Sequence, residues 1–374
     1  MTRTAISGTG LFVPPETISN EELVNSFNEF ARQHNTVHAR EIATGRMQPI
    51  LKSSDEFIVK ASGIRRRHVM SRKGMLDPAV MCPRIPERPN DAISLMAEVA
   101  IAASRRALEA AHRTSDDIDG VIVAASVTQR FYPQIAIEVQ AALGIRGFAF
   151  DLLAACSSAT FGIQVAADMI QQGHARSILA INPEVCTSHL NLRDRETHFI
   201  FGDAATACVL EPARRCDGDN TWEILSTRLE SQFSNNIRNN FGPLNRFAPQ
   251  TIGTPDKLIT QKGRKVFKEV VPMVSNFMLD HLAANDIDPS GLKRLWLHQA
   301  NINMNNLIAR KVLGREPSAD EAPNILEEYG NTSSAGAIIA FHSFSRDLAP
   351  GDIGHLCSFG AGYTAGSVIL QKRH

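Results

Sequence analysis

Cys156 has the surroundings expected of a reactive thiol. An apolar strand pattern over residues 148–153 leads into Ala-Ala-Cys-Ser-Ser, and apolar residues at helical spacing follow from Phe161 to Ile170. This order places Cys156 at or near the N-terminus of a helix, where unpaired N–H groups and the helix dipole favour the thiolate. Most free cysteines are buried structural residues, so a catalytic role requires partners. The other cysteines lie in strand-like or loop contexts without this arrangement: Cys82, Cys186, Cys208, Cys216 and Cys357.

Two further residues have positions from which they can act beside such a thiol. His298 ends the apolar strand Leu-Trp-Leu where the strand meets a loop, although a buried histidine with satisfied hydrogen bonds is the commoner case. Asn331 follows Gly330, which allows a tight turn, and precedes a helix of small residues. Turns and helix caps are the usual place of an asparagine. Neither residue indicates a site by itself.

The composition describes a globular chain with no bulk charge. Of 374 residues, 43% are hydrophobic, and 39 Lys and Arg balance 39 Asp and Glu, which argues against a nucleic-acid partner. No uninterrupted apolar run approaches the ~18–20 residues that cross a bilayer, and the N-terminus lacks the apolar core of a signal peptide. None of the six cysteines forms a Cys-x-x-Cys pair, so a zinc site has little support. We therefore expect a cytoplasmic protein with no metal site and no membrane contact.

Helix and strand patterns alternate and repeat along the chain, which predicts an α/β fold with an internal duplication. Residues 92–112 and 267–284 share a helical pattern followed by a polar turn and an apolar strand. Residues 200–212 and 358–372 share a Phe-Gly turn, small residues and an apolar strand. Two similarities in the same order favour duplication over chance.

The predicted halves are residues 1–212, which contain the cysteine, and 213–374, which contain the histidine and the asparagine. Residues 28–46 are open to a helical interpretation. Polar stretches rich in Pro, Gly and Asn predict loops or a cap over a site at residues 25–50, 71–90 and 233–253.

Cys156, His298 and Asn331 occur in motifs that resemble those of the thiolase superfamily, and most closely those of the β-ketoacyl-acyl-carrier-protein synthase III family. The resemblance runs from about residue 52 to the C-terminus through SSDEFIVKASGIRRRH, DLLAACSSATFGI, IFGDAAT, LHQAN, EYGNTSSAG and FGAGYTAG. Chain-elongating relatives carry a second histidine at the position of Asn331, and thiolases carry a second cysteine. The resemblance implies a thiolase-like fold, in which duplicated α/β halves form a five-layered αβαβα arrangement.

The resemblance also implies a decarboxylative Claisen condensation in fatty acid biosynthesis, with acyl-CoA and malonyl-acyl-carrier protein as substrates. Cys156 would accept the acyl group, and the backbone N–H groups of Cys156 and Ala361 would form the oxyanion hole. An alanine can donate the same N–H as the family's glycine where its backbone angles are allowed. His298 and Asn331 would stabilise the enolate that loss of CO2 leaves. No metal or redox cofactor is implied.

The substrate contacts that the resemblance assigns include departures from the family pattern. Phe57 replaces the tryptophan that stacks on the CoA adenine, and Ala61 replaces an arginine that contacts the CoA phosphates. The run 65–67, Arg-Arg-Arg, is one candidate to replace that phosphate contact, but it is more simply interpreted as a solvated basic stretch. For Arg310 and Lys311, which the resemblance leaves as candidates for docking the carrier protein, an ordinary exposed helix face is an equally good interpretation. The predicted contacts are Ser53, Phe57 and Arg195 for CoA, Phe201, Phe267 and (from the second subunit of a homodimer) Tyr132 for the acyl channel, and Arg310 and Lys311 for the carrier protein.

Other functions stay open beside this one. Relatives of the same fold transfer acyl groups to a hydroxyl or an amine, or condense them in polyketide or quinolone synthesis. A non-catalytic acyl-binding subunit is a further alternative, against which the intact set of cysteine, histidine and asparagine argues. The segments 25–50 and 71–90 exceed those expected of acetyl-using members, and therefore favour a donor longer than acetyl.

Overall fold

A nine-stranded mixed sheet organises the computed structural model, which describes residues 3–240 and 242–373. In the described part of the chain, no helix is both long and apolar enough to cross a membrane. The strands are β1 Thr4–Phe12, β2 Glu16–Ser19, β3 Arg66–Val69, β4 Gly120–Ala125, β5 Phe148–Leu153, β6 Ile178–Val185, β7 Asp203–Pro212, β8 Trp222–Ser231, β9 Ile237–Arg238, β10 Thr260–Gln261, β11 Arg294–Leu297, β12 Ile353–Gly360 and β13 Thr364–Lys372. The helices are α1 Asn20–Val37, α2 Ala39–Ala43, α3 Asp55–Ser62, α4 Leu95–Ala110, α5 Ile135–Leu143, α6 Ser158–Gln171, α7 Gly263–Ala283, α8 Ile302–Leu313, α9 Leu326–Tyr329 and α10 Ala335–Ser343.

The strand order repeats one pattern on both sides of the sheet centre. The order is β11-β12-β13-β8-β1-β7-β6-β4-β5, and β1 meets β8 through two residue pairs. Outwards from β1 the pairings are antiparallel, antiparallel and parallel, and the same series runs outwards from β8. The strands whose sequences look alike, β7 and β13, hold equivalent places in the two series. The predicted division at residues 212 and 213 falls between β7 and β8, and it stays a prediction.

Helices form three layers around the two halves of the sheet. The central layer is α6 with α10, and its core includes the edge-to-face rings of Trp222 and Trp296, whose centroids lie 5.1 Å apart. Helices α4 and α5 cover the opposite face of β4, β6 and β7, whereas α7 and α8 cover the opposite face of β11 to β13. The predicted αβαβα arrangement is therefore confirmed.

The loop predicted at residues 25–50 is wrong, because α1 and α2 occupy most of it. Ser19 and Glu22 form a capping box: the Ser19 amide donates to Glu22 Oε2 at 2.9 Å, and the Glu22 amide donates to Ser19 Oγ at 3.2 Å. Leu23 and Phe27, four residues apart, bury one face of the helix. The helical interpretation of part of this segment is the correct one.

Helix α1 holds the extended segment that leads into α3. The Asn28 side chain bonds both backbone groups of Ser53, at 2.8 and 3.1 Å. Asn35, two helical turns later, bonds both backbone groups of Ile50 in the same way, at 2.9 and 3.0 Å. The segment at 71–90 lacks helix and strand as predicted, and the described residues of 233–253 contain β9 and short 3₁₀ turns.

Candidate active site

Cys156 lies between the end of β5 and the start of α6, as the sequence predicts. The chain passes through a 3₁₀ turn at Ala155–Ser157 and enters α6 directly. Ala155 takes a positive φ of 49°, a conformation that costs energy for a residue other than glycine and that persists where its surroundings enforce it. A β-carbon at Gly360 would lie 2.7 Å from the Cys156 β-carbon. Only glycine therefore allows the end of β12 to approach the nucleophile this closely.

The turn before α10 brings Asn331 and Ser333 to the same place. Ser333 donates its hydroxyl proton to Cys156 Sγ at 3.2 Å, and its backbone N–H donates to Asn331 Oδ1 at 2.8 Å. The second bond fixes the orientation of the amide, because it assigns the oxygen of Asn331 and leaves the Nδ2 protons for the cavity. Ser333 lies in the motif EYGNTSSAG, but it was not among the predicted site residues. Its contact with Cys156 joins residues 177 positions apart, which no local pattern reveals.

His298 directly follows β11, is buried, and is held by its backbone. Its N–H donates to Cys357 O at 2.8 Å, and its ring meets the edge of Phe359 at a centroid distance of 5.2 Å. Nδ1 is enclosed without a hydrogen-bond partner among the described residues, so Nε2 is the nitrogen that can meet a substrate. Burial lowers the pKa of His298 to about 4, partly offset by the Ser333 backbone. The ring is therefore neutral at pH 7 and donates one proton only.

The Cys156 thiol is protonated before substrate arrives. Burial raises its pKa to about 11, and the nearby Glu184 carboxylate acts in the same direction. The Ser333 hydroxyl and the backbone N–H groups of Cys156 and Ala361 oppose this shift. Those N–H groups therefore lie near the sulfur, and their assignment to an oxyanion hole stays a prediction.

One cavity of about 770 Å³ collects these side chains. Much of its wall is apolar, including Ile237, Ile259, Val266 and Val270. The predicted site residues that line it are Cys156, His298, Asn331, Ala361, Phe57, Phe201 and Phe267. The predicted site residues outside its wall are Ser53, Tyr132, Arg195, Arg310 and Lys311. Over the part of the chain that the structure describes, no group of three or more His, Cys, Asp or Glu side chains is arranged to hold a metal ion.

The predicted nucleotide contacts meet one another directly. The Arg195 guanidinium carbon lies 3.8 Å from the centre of the Phe57 ring, and Arg195 Nε donates to Lys52 O at 2.8 Å. An adenine ring would have to separate this stacked pair to lie between its members. Ser53 is buried, and its Oγ has no hydrogen-bond partner among the described residues.

The solvated basic stretch predicted at residues 65–67 is wrong for Arg67. Arg65 and Arg66 are exposed and pair with Glu327 and Glu328. Arg67 is only 1% exposed, because alternation along β3 turns it inwards. Its guanidinium bonds Ile18 O, Asn20 Oδ1 and Phe199 O at 2.8–3.0 Å.

Cations that the sequence reasoning missed lie at the cavity wall. Arg264 and Lys268, one helical turn apart on α7, line the cavity together with Arg238. The sequence feature that could have indicated them is the presence of four basic residues within residues 262–268. Arg310 and Lys311 lie in the last turn of α8, where Arg310 bonds Glu316 at 2.8 Å.

Apolar side chains are exposed beside the edge strand β5. Tyr132 is 84% exposed. Phe131 and Ile137, which are close to it in sequence, are also exposed, as is Leu153 at the end of β5. Among the strands that the structure describes, β5 pairs with β4 alone, so its other side is an open edge. Tyr132 does not face the cavity of its own chain.

The architecture is shared with solved condensing enzymes. The 3-oxoacyl-[acyl-carrier-protein] synthase III of Aquifex aeolicus matches with a TM-score of 0.75 and 25% identity, over 98% of this chain and 99% of that one. The priming β-ketosynthase of the R1128 polyketide pathway matches in fold with a TM-score of 0.77 at 23% identity, over 99% and 96% of the two chains. The fold is thus thiolase-like, as the motifs indicate.

Sequence comparison defines the group more narrowly. Models of 3-oxoacyl-[acyl-carrier-protein] synthase III and of its C-terminal region match residues 150–232 and 282–372. A β-ketodecanoyl-[acyl-carrier-protein] synthase of Pseudomonas aeruginosa is 58% identical over 349 residues, which are 93% of this chain and all of the relative. A β-ketoacyl-[acyl-carrier-protein] synthase III of Granulibacter bethesdensis is 30% identical over 99% of this chain and all of the relative. The chain belongs to the β-ketoacyl-[acyl-carrier-protein] synthase III family, and it is an acyl-transferring condensing enzyme of fatty acid synthesis.

Proposed function

We propose that this enzyme condenses an eight-carbon acyl-CoA with malonyl-acyl-carrier protein and forms 3-oxodecanoyl-acyl-carrier protein. The observation that carries the proposal is the meeting of Cys156, His298 and Asn331 on the wall of one cavity. A thiol alone would suit many acyl transfers. A thiol that faces a neutral imidazole and an amide suits decarboxylation, because both can donate hydrogen bonds to an enolate without being spent as acids.

In the first half-reaction Cys156 takes the acyl group. Its sulfur attacks the thioester carbonyl, and the backbone N–H groups of Cys156 and Ala361 stabilise the oxyanion. Collapse of the tetrahedral intermediate breaks the bond to CoA, whose thiolate takes up the proton that Cys156 has lost. The helix dipole of α6 assists by favouring negative charge at the sulfur.

In the second half-reaction the malonyl thioester loses CO2. The electron pair of the broken carbon–carbon bond moves to the thioester oxygen, where His298 Nε2–H and Asn331 Nδ2–H stabilise it. The enolate carbon then attacks the acyl-Cys156 carbonyl and expels the Cys156 thiolate, which gives the 3-oxoacyl product, and the thiolate takes up a proton from water to restore the thiol. Neither half-reaction requires a metal or redox cofactor.

The chain length follows from the relative and is supported by the cavity. The Pseudomonas aeruginosa protein is named for a ten-carbon 3-oxoacyl product, and malonyl supplies two of those carbons, so the acyl donor has eight. A largely apolar cavity of about 770 Å³ is far larger than an acetyl group needs, since pockets for drug-sized ligands begin at about 300 Å³.

Intact-protein mass after incubation with acyl-CoAs of two to twelve carbons tests this proposal. We expect octanoyl-CoA to give the fastest mass gain, and we expect no gain in Cys156→Ala. Malonyl-acyl-carrier protein should discharge the acyl group with release of CO2 and formation of a 3-oxoacyl product. Discharge only to a hydroxyl or amine acceptor would support the acyltransferase alternative, and absence of acylation by any donor would support the acyl-binding alternative.

Carrier docking is proposed at the cavity mouth, with Arg264 and Lys268 acting beside the predicted pair Arg310 and Lys311. Reversing both charges in Arg264→Glu/Lys268→Glu should raise the KM for malonyl-acyl-carrier protein about tenfold at low salt, because charged contacts at a rim mainly govern encounter. Steady-state CO2 release across a salt series measures the effect, which should shrink as salt rises.

Two comparisons make this prediction specific. Malonyl-N-acetylcysteamine, which lacks the carrier, should be decarboxylated at an unchanged rate by the doubly reversed variant. Arg310→Glu/Lys311→Glu is the matched variant on α8, and a larger effect there would place docking at α8 instead. A loss with the carrier-free thioester as large as with the carrier would contradict a docking role for Arg264 and Lys268.

We also propose that the enzyme is a homodimer in the cytoplasm. The open edge of β5 and the exposed apolar side chains beside it support a second copy at this place. In such a dimer Tyr132 would reach the acyl channel of the other subunit. Octanoyl-CoA would enter with its adenine near Phe57, Arg195 and Ser53, after the stacked pair opens.

A further inference from the structure

A buried carboxylate beside the active site has no part in the two half-reactions. Glu184 of β6 is fully buried, and it accepts four hydrogen bonds from two serines. Ser126 donates its N–H at 2.9 Å and its hydroxyl at 2.5 Å, and Ser334 donates its N–H at 3.2 Å together with its hydroxyl. No lysine, arginine or histidine among the described residues is bonded to it. Burying a charge without a counter-ion costs free energy, so a carboxylate at this position suggests a functional role.

We propose that Glu184 is a positioning residue for decarboxylation, which links Ser126 on the cavity wall to Ser334 and thereby fixes the turn that carries Asn331. This inference deepens the proposed function and rests on it. Glu184 touches no reacting atom; it acts through the residues that do.

The contacts connect Glu184 to the site in one further step. Ser334 directly follows Ser333, whose hydroxyl bonds Cys156 Sγ and whose N–H orients the Asn331 amide. The other end of the turn is fixed separately, since the Asn331 N–H and carbonyl pair with Ile200 and Gly202 at 2.9 and 3.1 Å. With both ends held, Asn331 Nδ2 keeps one direction toward the cavity. Release of the Glu184 end would let the turn shift, and shifts of about 1 Å at a reacting group are costly in rate.

Its protonation gives the proposal a second observable. Burial raises the pKa of Glu184 to about 7, although the hydrogen bonds of Ser126 and Ser334 oppose the shift. The titratable groups that face this region are Cys156 before α6, Cys186 after β6 and Asp203 at the start of β7. Above pH 7 the ionised carboxylate opposes the Cys156 thiolate, and below pH 7 this opposition disappears. The plot of the logarithm of the acylation rate against pH should therefore change slope near pH 7.

Glutamine is the informative substitution because the two carboxylate oxygens have different partners. Oε1 accepts both backbone N–H groups, whereas Oε2 accepts the Ser126 hydroxyl and lies 3.9 Å from Cys186 Sγ. In Glu184→Gln the amide oxygen can replace Oε1, and the NH2 group can donate to a turned Ser126 hydroxyl. The link is thus kept while the charge is removed. Glu184→Ala removes both, and Ser334→Ala removes one bond to the turn.

The experiment separates the half-reactions, with CO2 release from malonyl-acyl-carrier protein and mass gain from octanoyl-CoA measured between pH 6 and pH 9. We expect Glu184→Ala to lower kcat for CO2 release about tenfold or more, with KM changed little, and to affect acylation less. Glu184→Gln should recover kcat to within about threefold of the unmodified enzyme, but its acylation rate should lack the change of slope near pH 7. Ser334→Ala should fall between the two.

The outcomes distinguish this inference from the proposed function. Absence of CO2 release from the unmodified enzyme would overturn the proposed function and this inference with it. An active enzyme whose folded Glu184→Ala variant keeps its kcat would overturn the inference alone. Equal losses of both half-reactions in the alanine and glutamine variants, matched by a fall in melting temperature, would reduce Glu184 to a structural residue. If Glu184→Ala does not fold, the kcat of Ser334→Ala for CO2 release decides: a fall with acylation kept supports the inference, and an unchanged kcat overturns it.

Discussion

Replacing His298 by alanine, or Asn331 by aspartate, is expected to slow CO2 release from malonyl-acyl-carrier protein by about a hundred- to a thousandfold. Each change removes one of two donors that would meet the enolate oxygen. Aspartate is the sharper change, because it keeps an oxygen that accepts the Ser333 N–H, now 2.8 Å from Asn331 Oδ1. The second oxygen replaces the NH2 group with an acceptor, so the turn is kept and the donor is lost. Radiolabelled CO2 released per enzyme measures the effect.

Acylation by octanoyl-CoA is the control within the same variants. The proposed oxyanion hole of that step consists of backbone N–H groups, so the mass gain should persist at rates within about tenfold of the unmodified enzyme. His298 adds no titration of its own between pH 6 and pH 8, since burial lowers its pKa to about 4. Equal loss of acylation and CO2 release in Asn331→Asp would contradict its assignment as a donor to the enolate.

The residues of the proposed reaction were predictable because each carries a local signal. Cys156 lies at a strand-to-helix junction, His298 at the end of an apolar strand and Asn331 after a turn glycine, and the motifs join these three. The layer arrangement was predictable because the motifs resemble those of the thiolase superfamily, whereas the repeated patterns by themselves predicted only a duplicated α/β fold. Helix α1 was also within reach, since Ser19 and Glu22 give the spacing of a capping box.

The residues that support the site were not predictable, because their roles depend on contacts between distant parts of the chain. Ser334 and Glu184 are 150 positions apart, and Arg67 meets Phe199 across 132 positions. A glutamate in an apolar strand and an arginine in a basic run have ordinary local interpretations. The closed stack of Phe57 on Arg195 likewise depends on the approach of two separate segments.

Arg67→Met is expected to lower the free energy of unfolding by about 3–5 kcal/mol, the range for disrupting a buried charged hydrogen-bond set. The variant keeps a long side chain but leaves Ile18 O, Asn20 Oδ1 and Phe199 O without their donor. Burial already lowers the pKa of Arg67 to about 9, while Asp55 and Glu22 act in the opposite direction. Urea denaturation, followed by the midpoint and slope, measures the change.

Arg66→Ala is the matched control, because the adjacent residue on β3 has the same charge and the opposite orientation. Its exposed guanidinium bonds the half-buried Glu328 at 2.6 Å, and ion pairs at the surface contribute about 0–1 kcal/mol. A cost for Arg66→Ala equal to that for Arg67→Met would contradict the assignment of the stability to the buried bonds.

Arg67 also binds the carbonyl of Phe199, and residues 199–201 line the cavity. Arg67→Met should therefore weaken the preference for octanoyl-CoA over shorter donors as well, whereas Arg66→Ala should leave that preference unchanged, because its partner lies outside the cavity wall.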